Sequence, residues 1–185
     1  MTLFLQRKMR RSSLCNDYNN VSQVRWSPPP QDHYKVNFDT TFFVEIGSAG
    51  VGVVVRDCDG QIIGALWQNI GSVQSAEMAE ALAARREVRF ATELCVFQVI
   101  IEGDCSRVIA ALKGFGCCCT LFGHIIDESK RIRGTLRSCL FQHVRREGNR
   151  LAHCLAKKVV LSANTDVWVE SLPKDVEDVF HSDLP

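Results

Sequence analysis

Gln98-Val99-Ile100-Ile101-Glu102-Gly103-Asp104 is a β-branched run that ends in an acid and follows directly on a helical segment. A strand entered from a helix pairs in parallel with an earlier strand through a crossover. The earlier strand is Tyr34 to Asp39, where Val36 and Phe38 alternate with Lys35, Asn37 and Asp39. Pairing the two runs brings Asp104 beside Asp39. Carboxylates gathered at the carboxyl ends of neighbouring strands form a cage for hard divalent cations, which prefer oxygen ligands, and this points to phosphate chemistry.

Between these strands lie two more apolar runs, Val51 to Val55 and Gln61 to Trp67, joined across the turn signal Asp57-Cys58-Asp59-Gly60. They predict an antiparallel three-strand meander with the first strand. Ser75 to Leu94 then sets Ala79, Leu82, Ala83, Phe90, Ala91 and Leu94 at helical spacing, with Ser75 as the cap and Glu80 inside the helix. Further on, helices are expected over Ser106 to Leu112, Gly123 to Ile132 and Asn149 to Val160, with a strand over Ser138 to Val144 and Asn149 as the last helix's cap. The expected fold class is mixed α/β (α+β), with a five-stranded mixed sheet flanked by helices.

The expected domain covers residues 34–161. Residues 1–30 read as a flexible extension closing in Trp26-Ser27-Pro28-Pro29-Pro30, which ends any helix, and residues 162–185 as a tail packing loosely on the domain or trailing from it. With 185 residues, 46% hydrophobic and 23% charged, the chain can build one core but hardly two. The formal charge of +1 excludes an overall basic field, so any nucleic-acid surface must be a local patch. No apolar run is long enough for a membrane span.

Nine cysteines, an odd number, fit a reduced intracellular compartment, cytoplasm or nucleus, and Cys117-Cys118-Cys119 lacks the spaced pairs of a structural zinc site. The basic residues among Met1 to Ser13 read as a disordered end, a basic arm or a weak targeting signal.

Several motifs fall in one order along the chain: Asn37-Phe38-Asp39, Gly52-Val53-Val54-Val55-Arg56-Asp57, Ala79-Glu80-Ala81-Leu82-Ala83, Glu102-Gly103-Asp104, and His143-Val144-Arg145-Arg146-Glu147-Gly148-Asn149 with Leu151-Ala152-His153-Cys154-Leu155-Ala156. This ordered set resembles the ribonuclease H family, most of all the plant branch of its reverse-transcriptase-like domains. The resemblance implies a nuclease that hydrolyses the RNA strand of RNA–DNA hybrids with two magnesium ions, manganese being the alternative. It matches Asp39, Glu80 and Asp104 to the family's metal-binding carboxylates, with Asp39 bridging both ions. Glu77, three residues before Glu80, is a competing ligand on nearly the same helix face.

The chain departs from the family at His153, where active members carry a fourth carboxylate. An imidazole adds no negative charge and suits manganese better than magnesium, so His153 is either a weak metal ligand or uncoordinated. His143 belongs to the strand or carries a proton. Thr40-Thr41 stands where the family often has Gly and a small residue, and a β-branched side chain is expected to crowd the substrate. For substrate contacts the resemblance suggests Asn37, Thr41, Ser75 and Asn149 at the groove, with Arg145 and Arg146 on phosphates.

Three functions compete: a hybrid-cleaving nuclease, a nucleic-acid-binding module of the same fold with little or no activity, and a protein-interaction domain. A monomer is the default assembly.

Overall fold

The computed structural model describes residues 25–116, 119–159 and 165–184. The basic N-terminal run, the first two residues of the cysteine triplet and the end of the last expected helix lie outside these residues.

Six strands form one sheet: β1 (Tyr34–Phe43), β2 (Ser48–Arg56), β3 (Ile62–Ser72), β4 (Gln98–Gly103), β5 (Ser138–His143) and β6 (Thr165–Val169). Their order is β5-β4-β1-β2-β3-β6, with β1, β2 and β3 an antiparallel meander and β4 and β5 parallel to β1. The helices are α1 (Ala76–Glu93), α2 (Ser106–Lys113), α3 (Gly123–Arg133), α4 (Arg150–Lys158) and α5 (Glu177–Asp183). Among the described residues, no helix is long and apolar enough to cross a membrane.

Strand alternation builds the two faces of the sheet. Val36, Phe38, Val51, Val53 and Val55 join a core with α1, α2 and α3. In α1 the small side chains of Ala79, Ala83, Ala84 and Ala91 are buried, so the helix can lie close on the strands. Ser75 caps it, its Oγ accepting from Met78 N at 3.1 Å. The opposite face packs Val54 and Ala65 against Leu151, Ala152 and Leu155 of α4. There β2 carries Gly50 and Gly52, and a Cβ on Gly52 would stand 2.3 Å from Ala152 O and 2.4 Å from Ala156 N. Only glycine lets α4 come this close.

The structure corrects four expectations. A sixth strand, β6, comes from the expected loose tail and pairs antiparallel with β3. Trp168 there meets Trp67 edge to face, centroids 4.6 Å apart. The proline-rich segment is packed at its start: Trp26 is 2% exposed, donates from Nε1 to Asn37 Oδ1 at 3.0 Å, and carries the Arg56 guanidinium on its ring at 3.8 Å. Arg56 in turn holds Asp183 of α5 at 3.0 Å with both side chains buried, so both ends of the described chain are tied to the strands.

Asp39 does not end its strand, because β1 runs on to Phe43 in register with β2. What ends there is the pairing with β4, whose last partners are Phe38 and Gly103. Lastly, Asn149 sits at the cap position of α4 without making a side-chain cap bond. Its Nδ2 instead donates to Phe38 O at 2.7 Å, which fastens the start of α4 to β1 beside Asp39.

Candidate metal and nucleic-acid site

Once the β1–β4 ladder stops at Phe38 and Gly103, the next residue on each strand is an aspartate. Asp39 and Asp104 are thereby forced together. Helix α1 crosses the opposite face and supplies Glu80. Ligand oxygens of Asp39, Glu80 and Asp104 lie within 4.8 Å of one another. Glu77 is outside the group and pairs with Arg107 at 2.6 Å.

Thr40, expected to crowd the substrate, follows Asp39 onto the α1 side of the sheet, where its Oγ1 donates to Glu80 Oε1 at 2.6 Å. Thr41 returns to the Asp39 face, half-buried, with its Oγ1 unpartnered. His153 comes down from α4 with Nδ1 2.5 Å from Asp39 Oδ2. It stands against the cage rather than among the three gathered ligands. Arg146 Nε donates to Asp104 Oδ2 at 3.1 Å, and His143, the last residue of β5, sets Nε2 3.1 Å from Asp104 O.

Three acids pressed together in a buried place cannot all ionise easily. Burial, then the charges of Asp104 and Glu80, push the Asp39 carboxyl up to about 8. Burial also raises Glu80 to about 7, against the Thr40 hydrogen bond, which favours its charged form. His153 is pushed below the usual imidazole range by burial, then by the nearby cations Lys157 and Arg146. Asp39 Oδ1 and Glu80 Oε2 are buried with no hydrogen-bond partner. Buried anionic oxygens without donors, facing a third carboxylate, fit a hard divalent cation.

The surrounding polar residues divide into buried and accessible. Asn37, expected at the groove, is fully buried: its Oδ1 accepts from Trp26 and Arg56, and its Nδ2 donates to Glu102 Oε2 at 3.0 Å. Asn149 is 1% exposed and bound to Phe38 O. Neither amide is presented outward. Ser75 is half-buried in its capping bond, while Arg145 and Arg146 are exposed. Sequence reasoning missed the Thr40 bond to Glu80 and the Arg146 pairing with Asp104, since no local periodicity announces contacts spanning some forty positions.

Parallel pairing of β1, β4 and β5 beside an antiparallel meander, with acids at the end of the β1–β4 ladder, defines a ribonuclease H-like fold. The profile of the family described as reverse transcriptase-like matches residues 37–159, and the chain belongs to that family. Among solved structures, RNase H1 from the halophilic archaeon Halobacterium salinarum superposes with a TM-score of 0.65 at 22% identity, over 71% of this chain and 99% of its own. The N-terminal RNase H domain of a Mycobacterium tuberculosis protein gives 0.64 at 20% identity, over 71% and 95%. LC11-RNase H1, solved in complex with an RNA/DNA hybrid, gives 0.59 at 21% identity, over 68% and 94%. No curated protein sequence matches the chain.

Proposed function

We propose that this chain is a metal-dependent endoribonuclease acting on the RNA strand of RNA–DNA hybrids. The observation that carries this reading is the cage itself: ligand oxygens of Asp39, Glu80 and Asp104 within 4.8 Å, with two buried oxygens that have no hydrogen-bond partner among the described residues. Membership of the reverse transcriptase-like family, and an RNase H1 of the same fold solved on an RNA/DNA hybrid, support the choice of substrate.

Asp39, Glu80 and Asp104 would hold magnesium or manganese, a Lewis acid that stabilises charge on a phosphodiester under attack by water. The chain's own groups do the rest. Thr40 keeps Glu80 turned into the cage. Arg146 and Arg145, exposed beside Asp104 and beyond it, attract the phosphate backbone by charge. Ser75 and Thr41 are left as the candidates for sugar hydroxyls after Asn37 and Asn149 prove buried. Recognition of this kind reads groove shape and 2′-hydroxyls, so low sequence specificity is expected.

The alternative, a binding module that retains hybrid without cutting it, is favoured by one observation: the imidazole of His153 already occupies Asp39 Oδ2. The experiment is incubation of the full chain with a labelled RNA–DNA hybrid in magnesium and then in manganese, beside Asp104→Asn. Cleavage lost in that variant supports the nuclease. Retention without cleavage supports the module, and the absence of both cleavage and retention supports a protein-interaction domain.

A further inference from the structure

Every carboxylate of the cage has one oxygen already in a hydrogen bond with another side chain. His153 Nδ1 holds Asp39 Oδ2 at 2.5 Å, Thr40 Oγ1 holds Glu80 Oε1 at 2.6 Å, and Arg146 Nε holds Asp104 Oδ2 at 3.1 Å. The other oxygens of Asp39 and Glu80 are buried and unpartnered. A pair of ions about 4 Å apart needs a carboxylate between them that gives an oxygen to each. Asp39, the carboxylate that the resemblance sets between two ions, has one oxygen, Oδ1, that no hydrogen bond of the described residues engages.

Charge leads to the same number. Once ionised, three carboxylates beside one guanidinium carry two net negative charges, which a single divalent ion balances. A second ion would have to sit against the Arg146 guanidinium, a charge of its own sign. A neutral imidazole at position 153 contributes nothing to offset that.

We propose that this site takes one divalent cation, on the free oxygens of Asp39 and Glu80 together with Asp104, and that Arg146 is its second positive charge. His153 is then a positioning residue: its bond to Asp39 Oδ2 turns Oδ1 toward the ion. The inference rests on the metal-dependent reading above and narrows it. Arg146, with its side chain 65% exposed, stands at the solvent side of Asp104, where a phosphate would arrive.

The test counts Mn2+ by electron paramagnetic resonance on the full chain mixed with a 2′-O-methyl RNA–DNA hybrid, which offers the phosphate backbone but resists cleavage. One ion per chain with an uncoupled signal is expected. Two ions with the exchange-coupled signal of a close pair would overturn the inference and leave the nuclease reading standing, whereas no bound ion would overturn both. In the chain carrying His153→Asp and Arg146→Ala together, Oδ2 of Asp39 and of Asp104 are released and a carboxylate is added, so the count should rise to two. A count that stays at one in that variant would overturn the roles given to His153 and Arg146.

Discussion

His153 Nδ1 stands 2.5 Å from Asp39 Oδ2, and the Asp39 side chain is only 1% exposed. The approach is made by α4, seated on the glycines of β2, so the last helix delivers an imidazole to the carboxylate at the centre of the cage. Burial disfavours charge on both partners, raising Asp39 and lowering His153. The contact is therefore made between two groups whose charged forms burial disfavours, beside two further carboxylates.

Stability without metal should fall as pH rises, the reverse of ordinary carboxylate behaviour. The folded values of Asp39 and Glu80, about 8 and about 7, lie above their ordinary 3.8 and 4.5. An acid raised on folding favours the folded state while protonated, so its contribution is complete below the ordinary values and is lost as pH climbs through 7 and 8. A bound cation favours the ionised forms and removes the loss. Melting temperatures in chelator should drop by several degrees between about pH 6 and about pH 9, and excess manganese should raise them more at the higher pH. An equal rise at both would refute the linkage.

Thr40→Val should weaken metal binding, and Thr40→Ser should restore it. The hydroxyl donates to Glu80 Oε1 at 2.6 Å and favours the charged carboxylate. Valine keeps the shape but leaves that oxygen buried with no donor, so a proton competes with the ion to higher pH. Loss of an outer partner costs about tenfold or more in metal affinity. Calorimetric titration of manganese into the three proteins measures it, and unchanged affinity in the valine variant would remove Thr40 from the site.

Much of this architecture was legible in the chain because local patterning carried it. The alternation in Tyr34 to Asp39 and the β-branched run before Asp104 fix two parallel strands, and the stop of their pairing at Phe38 and Gly103 brings the two aspartates together. The resemblance misled at Asn37, which it suggested for the groove. Its polar face is not solvated but covered by Trp26, Arg56 and Glu102, residues 11, 19 and 65 positions away. Residues 165–169 alternate only weakly and gain their strand character from the free edge of β3, a tertiary cause that sequence windows do not contain. Glu77 and Glu80 share a helix face, and distant partners separate them: Arg107 holds Glu77 and Thr40 holds Glu80.

Gly52→Ala should unseat α4. Its Cβ would meet backbone atoms of Ala152 and Ala156 and the Cβ of Leu155 at 2.8 Å, none of which can swing aside as a flexible side-chain end could. The helix must shift bodily, at a cost of about 3 kcal/mol or more in denaturant unfolding. His153 would move with it, so its imidazole NMR signals should lose the downfield proton expected for the short bond to Asp39. A variant of unchanged stability with that resonance intact would show that α4 does not rest on Gly52 as described.

Glu87→Leu should stabilise the protein. Glu87 lies on the core face of α1, is fully buried, and has no hydrogen-bond partner for either carboxyl oxygen. Burial holds its pKa well above the usual range, with the charge of Glu80 adding to the rise. Its proton is thus held more tightly in the fold than in the unfolded chain, which favours unfolding increasingly as pH rises. Leucine has similar volume and no polar atom to leave unsatisfied, so the gain at pH 7 should be about 1–3 kcal/mol in urea unfolding. The gain should shrink toward about pH 4, where the unfolded glutamate is itself protonated. A loss of stability at pH 7 would mean that the carboxyl of Glu87 has a partner in solution.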